Sequence, residues 1–203
     1  LIFGTVLAGW LFSFVPGVEQ SSTGLLSVWN VVVILFYIFI LDFFFYWYHR
    51  AEHSFSWLWP IHELHHSDRE LNITTSYRTY WLERPLQALF VGLPASIAIG
   101  SFTVAYAYAL VMLTAWEFFT HANLRLNLRF LTPFVCGPHL HRIHHSRLPE
   151  HQNKNFAQYY PFIDILFGTY YRPKENEFPE TGLHDVESNM TVASIIIRPF
   201  AMW

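Results

Sequence analysis

Apolar and polar positions fall in long blocks along this chain rather than in short alternations. Four blocks are apolar: Leu1–Val15, Val28–Tyr48, Leu86–Ile99 and Phe102–Phe119. Val28–Tyr48 is long enough, at about 1.5 Å per residue, to cross about 30 Å of hydrocarbon as a helix. Leu1–Val15 lacks the basic start of a signal peptide and reads as a membrane helix cut short, in a chain truncated at its N-terminus. Leu86–Ile99 and Phe102–Phe119 predict a helical hairpin that turns at Gly100 and Ser101. Gly92, Pro94 and Gly100 make its first arm irregular. After Asn123 the chain turns polar and rich in Pro and Gly, which predicts a cap of short helices and loops. The expected fold is all-α: a single domain over 1–203, built as a multi-pass bundle of about four transmembrane helices under a helical cap.

Charge orients this bundle. All 12 Lys and Arg lie at Arg50 or later, and none falls between Pro85 and Leu124. The loop Pro16–Ser27 holds Glu19 and no basic residue. By the positive-inside rule, Arg50–Arg84 and everything from Arg125 onward are cytosolic. The expected location is therefore a bacterial inner membrane or the endoplasmic reticulum. Composition agrees: hydrophobic residues make up 53% and charged residues 13%, against about 25% charged in a soluble domain. A net charge of −3 points to no nucleic-acid partner. Cys136 is the single cysteine, which excludes an internal disulfide and a cysteine-held zinc or iron–sulfur site. The sequons at Asn72 and Asn189 read as chance matches on the cytosolic side. The run Phe43–Tyr48 reads mainly as a lipid-facing and interfacial aromatic belt, with one or two side chains turned into a pocket.

Onto this frame the chain places three histidine clusters: His49 and His53; His62, His65 and His66; His141, His144 and His145. Residues three and four apart share a helix face, so each cluster aims its imidazoles one way. The topology brings all three to the same membrane face. Eight imidazoles are enough to hold two transition-metal ions with about four nitrogens each, and spacing alone does not select among Zn, Cu, Fe and Ni. One His-x3-His pair would carry little weight, since a lone histidine is more often a satisfied polar group. Three clusters on one face make a metal centre the better reading. His139 would face away from His141 on a helix, and His151 and His184 read as ordinary surface or cap residues.

The residues that carry these clusters resemble the fatty acid hydroxylase / sterol desaturase superfamily of integral-membrane, non-haem diiron oxygenases. The resemblance runs from about Asp42 to Arg172. It rests on the three clusters, on Ser67–Thr75, on Asn155-Phe156-Ala157 and on Asp164–Thr169. It implies two iron ions, O₂, and hydroxylation or desaturation of a C–H bond in a membrane lipid such as a fatty acyl chain or sterol. It also implies a further ligand near the end of the fourth helix, where His121 stands; the second histidine some members have four residues later is Arg125 here. Ligand imidazoles usually pass their second N–H to an acceptor, and Asp42, Glu117, Asn123, Asn155 and Asp164 are the candidates. No dinucleotide fingerprint is present, so electrons must come from outside. The resemblance suggests cytochrome b5 or ferredoxin with a reductase, or a reduced pterin.

Other classes compete. A metal transporter would hold its ligands near the bilayer midplane on broken helices, whereas these clusters sit at helix ends and in the cap. A zinc-dependent lipid hydrolase would use about three protein ligands and a carboxylate base; Glu52 or Glu63 would serve as the base, but the histidines are too many. A scaffold without activity fits poorly with intact clusters.

Overall fold

The computed structural model describes residues 27–99, 104–183 and 196–197. The first apolar block, the turn at Gly100 and Ser101, His184 and the Asn189 sequon lie outside the described residues. Among the described residues the chain is helical and has no strand, only an isolated antiparallel bridge between Ser146 and Thr181.

Helix α1, Val28–Ser54, is the one described helix long and apolar enough to cross a membrane. Ser27 caps its start, accepting from the Asn30 amide at 3.2 Å, which satisfies one of the free N–H groups of the first turn. Only 28% of its most apolar window is buried, and Val28 and Trp29 are 82% and 71% exposed. A helix that is apolar on nearly all sides yet bare outside suits a lipid surround. Its buried stripe, Ile34, Tyr37, Ile38 and Leu41, packs on Ala95, Tyr106, Ala109 and Leu113.

Those partners come from the two segments expected to form the hairpin, each of which packs on α1; the turn between them lies outside the described residues. The first arm is α3 (Glu83–Gln87), a π-turn over Ala88–Gly92 and α4 (Leu93–Ile99). The irregularity expected from Gly92 and Pro94 takes this form. Pro94 has no N–H to give to the helix ladder, and the π-turn shifts the register, so that the Leu93 amide reaches Ala88 O. Such widened turns often mark functional positions. The second arm is α5, Val104–Thr120.

The two remaining clusters sit on short helices that proline starts: α2 (Trp59–His66), with Pro60 in its first turn, and α6 (Pro138–His144). With α7 (Phe162–Leu166) and several 3-10 turns, α6 belongs to the cap. Asp42 fastens the cap to α1. Its carboxylate accepts the backbone N–H groups of Gln158 (2.7 Å), Tyr159 (3.0 Å) and Tyr160 (2.6 Å). The cap also changes the reading of Phe43–Tyr48. Tyr46 and Tyr48 are buried rather than lipid-facing. Phe167 of the cap stacks on Tyr46 at 5.4 Å, and the Tyr46 hydroxyl bonds Thr169 Oγ1 at 2.9 Å. The block alone gave no sign that a later segment would fold back over it.

Candidate metal centre

The nine histidines at 49, 53, 62, 65, 66, 121, 141, 144 and 145 fall into two groups. His49, His53, His62, His66 and His144 form one, and His65, His121, His141 and His145 the other. Within each group the nearest ring nitrogens lie within 4.8 Å of one another. Helix geometry deals the histidines out between the two groups. On α2, His62 and His66 are one turn apart and serve the first group, while His65 points to the second. On α6 and its end, His141 and His145 serve the second, and His144 crosses to the first.

Seven Nε2–Nε2 separations lie between 3.0 and 3.1 Å, including His49–His62, His53–His66, His65–His121 and His141–His145. Nitrogens bound at right angles about 2.1 Å from one ion would stand about 3.0 Å apart. Proton placement gives the firmer test. A backbone carbonyl only accepts, so the ring nitrogen facing it must carry the proton. His65 Nδ1 faces Thr75 O at 3.1 Å, His121 Nδ1 faces Glu117 O at 2.7 Å, and His144 Nδ1 faces Lys154 O at 2.8 Å. Burial holds all three imidazoles below their ordinary pKa, His144 at about 4, so they are neutral. Their Nε2 atoms are therefore bare. His65 and His121 then face each other at 3.1 Å with a lone pair on each side and no proton between them. A shared cation is what turns that repulsion into binding. The donor set fits a transition-metal ion in each group.

The acceptors behind the ligands are mostly carbonyls. His49 Nδ1 gives its proton to Phe156 O at 2.8 Å. Asn153 and Asn155 both have φ of 58°, a left-handed conformation that asparagine tolerates better than most residues. These turns aim Lys154 O at His144 and Phe156 O at His49. Asp164 anchors the second of these, accepting Phe156 N (2.7 Å), Ala157 N (2.9 Å) and Thr169 Oγ1 (2.7 Å). Asn155 bonds the Tyr171 backbone through both ends of its amide. Asp42, Asp164 and Asn155 thus touch the loop that touches the ligands, not the ligands themselves. Glu117 meets His121 through its carbonyl, while its carboxylate pairs with Arg84 at 2.9 Å. Asn123 stands apart: it is exposed and accepts from Arg142 at 3.1 Å.

Sequence reasoning passed over the carboxylate that does reach a ligand. Glu83 Oε1 lies 3.0 Å from His62 Nδ1, with Glu52 at 3.6 Å. Both acids are buried. The available signal was an acid at the start of the apolar block Leu86–Ile99. His139 lies outside both groups, against Glu177 O. His151 is a cap residue but not a surface one: it is fully buried between Ser146 Oγ (2.8 Å) and Glu177 Oε1 (3.1 Å).

A cavity of about 320 Å³ borders the centre. His49, His62, His65, His121 and His141 reach it, so both groups face it. Much of the remaining wall is apolar, from Leu41 and Phe45 on α1, Ala88 and Val91 on the π-turn, and Leu110 and Leu113 on α5. Arg84 and Glu117 bring a mutually neutralising pair to the wall.

Residues 34–169 match the family model described as fatty acid hydroxylase. The chain is 31% identical over 135 residues to alkylglycerol monooxygenase of Xenopus tropicalis, covering 66% of this chain and 30% of that protein. It is 30% identical over 171 residues to alkylglycerol monooxygenase of Homo sapiens, covering 80% and 36%. To ornithine lipid hydroxylase OlsE of Rhizobium tropici it is 28% identical over 153 residues, covering 71% and 43%. The chain thus spans less than half the length of each of these relatives. No solved structure matches it significantly.

Proposed function

The chain belongs to the fatty acid hydroxylase family, and on that premise we propose that it is an O₂-dependent oxidoreductase acting on a membrane lipid. The observation that carries this reading is the pair of buried histidine groups opening onto one largely apolar cavity. The relatives' names, alkylglycerol monooxygenase and ornithine lipid hydroxylase, support oxidation of a lipid.

In this reading the first ion is iron held by His49, His53, His62, His66 and His144, and the second is iron held by His65, His121, His141 and His145. Bound there, the two irons supply activation of O₂ and removal of hydrogen from an unactivated C–H bond. The balance for hydroxylation is RH + O₂ + 2e⁻ + 2H⁺ giving ROH and H₂O; desaturation removes a second hydrogen instead. The chain's own residues do the rest. Thr75, Glu117, Lys154 and Phe156 carbonyls and the Glu83 carboxylate fix the rings of His65, His121, His144, His49 and His62 and leave their Nε2 atoms facing inward. Leu41, Val91, Leu110 and Leu113 take an alkyl chain and exclude water from the reacting carbon. Nine imidazoles leave no open three-ligand zinc position, so a hydrolase fits less well.

Electrons come from an external donor: cytochrome b5, ferredoxin with a reductase, or a reduced pterin. The membrane arrangement belongs to the same proposal. Val28–Ser54, Glu83–Ile99 and Val104–Thr120 cross, and the histidines sit on the cytosolic face.

The test is elemental analysis of the detergent-purified protein together with turnover of membrane lipid under ¹⁸O₂. About two irons per chain and one ¹⁸O atom in a hydroxylated lipid are expected. One zinc per chain with lipid cleavage products would overturn the reading.

A further inference from the structure

A second cavity, of about 260 Å³, touches the other side of the five-histidine group. His53, His66 and His144 line it, and it shares no lining residue with the first cavity. Its remaining walls are of a different kind. Arg147, Gln152, Asn153 and Ser146 supply polar groups, and the Trp59 ring lies 5.1 Å from His53 and 5.5 Å from His66. Gln152 and Asn153 are exposed to solvent. Arg147 gives Nη1 to Glu180 at 2.8 Å, yet its Nε is buried with no hydrogen-bond partner.

The two histidine groups therefore differ in access. The five-histidine group borders both cavities, through His49 and His62 on the apolar side and through His53, His66 and His144 on the polar side. Of these two cavities, the four-histidine group lines the apolar one, through His65, His121 and His141.

We propose that the polar cavity is a binding site for a small water-soluble anion, which reaches the five-histidine position through it, held by Arg147, without entering the lipid cavity. The class follows from the walls. The Arg147 guanidinium lines this wall and suits an anion or carbonyl oxygen, and a metal ion held by the three imidazoles at the far wall would add a second positive pole. Glu180 meets Arg147 from an exposed position, where water weakens the pair. The consequence is functional: small anions bind the first ion and not the second, and do so with lipid in place.

This inference rests on the two-ion reading above. Azide is the probe, titrated into the iron-loaded, detergent-purified protein and followed by the new absorption band of the azide-bound ion. Gln152→Trp fills the polar cavity and Val91→Trp fills the apolar one; variants are compared only at wild-type iron content and wild-type circular dichroism. One azide per chain is expected. Arg147→Gln should raise its dissociation constant about tenfold, the loss of one charge-assisted bond, and Arg147→Lys should recover part of this. Gln152→Trp should remove the band or slow its appearance at least about tenfold, while Val91→Trp should leave it unchanged. If Gln152→Trp does not reach wild-type circular dichroism, the Arg147 pair still decides. Azide that ignores Arg147→Gln and is lost in Val91→Trp would overturn the port, as would wild-type protein that binds no azide. A protein that takes up no metal would overturn both this and the two-ion reading, whereas iron-loaded protein indifferent to both polar-side variants would overturn the port alone.

Discussion

Asp164 ties the stability of the cap to the geometry of a metal ligand, and Asp164→Asn separates what its charge contributes from what its volume contributes. The carboxylate is 1% exposed and accepts three bonds, from Phe156 N, Ala157 N and Thr169 Oγ1. Asparagine has nearly the same shape but one acceptor oxygen. With that oxygen in the Oδ1 place, the bonds from Phe156 and Thr169 survive, and the new NH₂ points at the Ala157 N–H. One charge-assisted bond is lost, about 1.5–3 kcal/mol, and a buried donor is left unpaired, about 1–3 kcal/mol. Partial relaxation brings the expected cost to about 2–4 kcal/mol. For a chain of this size that is a fall of about 4–16 °C in Tm. Phe156 is held less firmly, and its carbonyl orients His49 at 2.8 Å. Metal affinity at the five-histidine position should then drop about tenfold, the low end for a residue behind a ligand. Thermal unfolding in detergent measures the first effect, and competition with a chelator of known affinity measures the second. Glu150→Gln, on the exposed face of the cap, is the control and should change Tm negligibly. An Asp164→Asn protein that melts within about 1 °C of wild type would refute the account of this carboxylate.

Further consequences follow from the division of ligands. His144→Ala and His65→Ala each remove a ligand from a different group, so each should cost about one iron per chain and the double variant about two; elemental analysis decides, and equal losses of both ions in each single variant would contradict two separate sites. Glu83→Gln takes the negative charge from behind His62 and should weaken iron binding at the five-histidine position about 10–100-fold, read by chelator competition, with little change at the other position. Val91→Trp should abolish lipid turnover while iron content stays at two, and retained turnover would remove the π-turn from the substrate wall. Acid should unfold the metal-free protein early. His144 is held at about 4 against an ordinary 6.5, so the unfolded chain takes its proton first; stability is full above about pH 6.5 and falls as pH drops toward 4, by up to about 3 kcal/mol from this group alone. A Tm that is flat between pH 7 and 5 would contradict this.

The three histidine clusters were legible because helical spacing is local. Two histidines four apart share a face wherever the helix goes, and charge asymmetry placed the three clusters on one side without reference to them. How the ligands divide was not legible, because it depends on how α2 and α6 rotate about their axes where they meet. His65 and His66 are neighbours in sequence and serve different groups for that reason alone. The acids show the same limit from the other side. Asp42, Asn155 and Asp164 were expected behind the ligands, yet each binds backbone of the cap, and the cap's carbonyls face the rings instead. Carbonyls carry no side-chain signature, so their role as acceptors cannot be read from residue identity. Glu83 could have been suspected. A carboxylate buried at the start of an apolar block costs free energy unless something charged or polar meets it, and a histidine that binds metal through its other nitrogen is the partner that repays this best. An acid at the edge of an apolar block thus deserved the same question as an acid within one: which imidazole does it face?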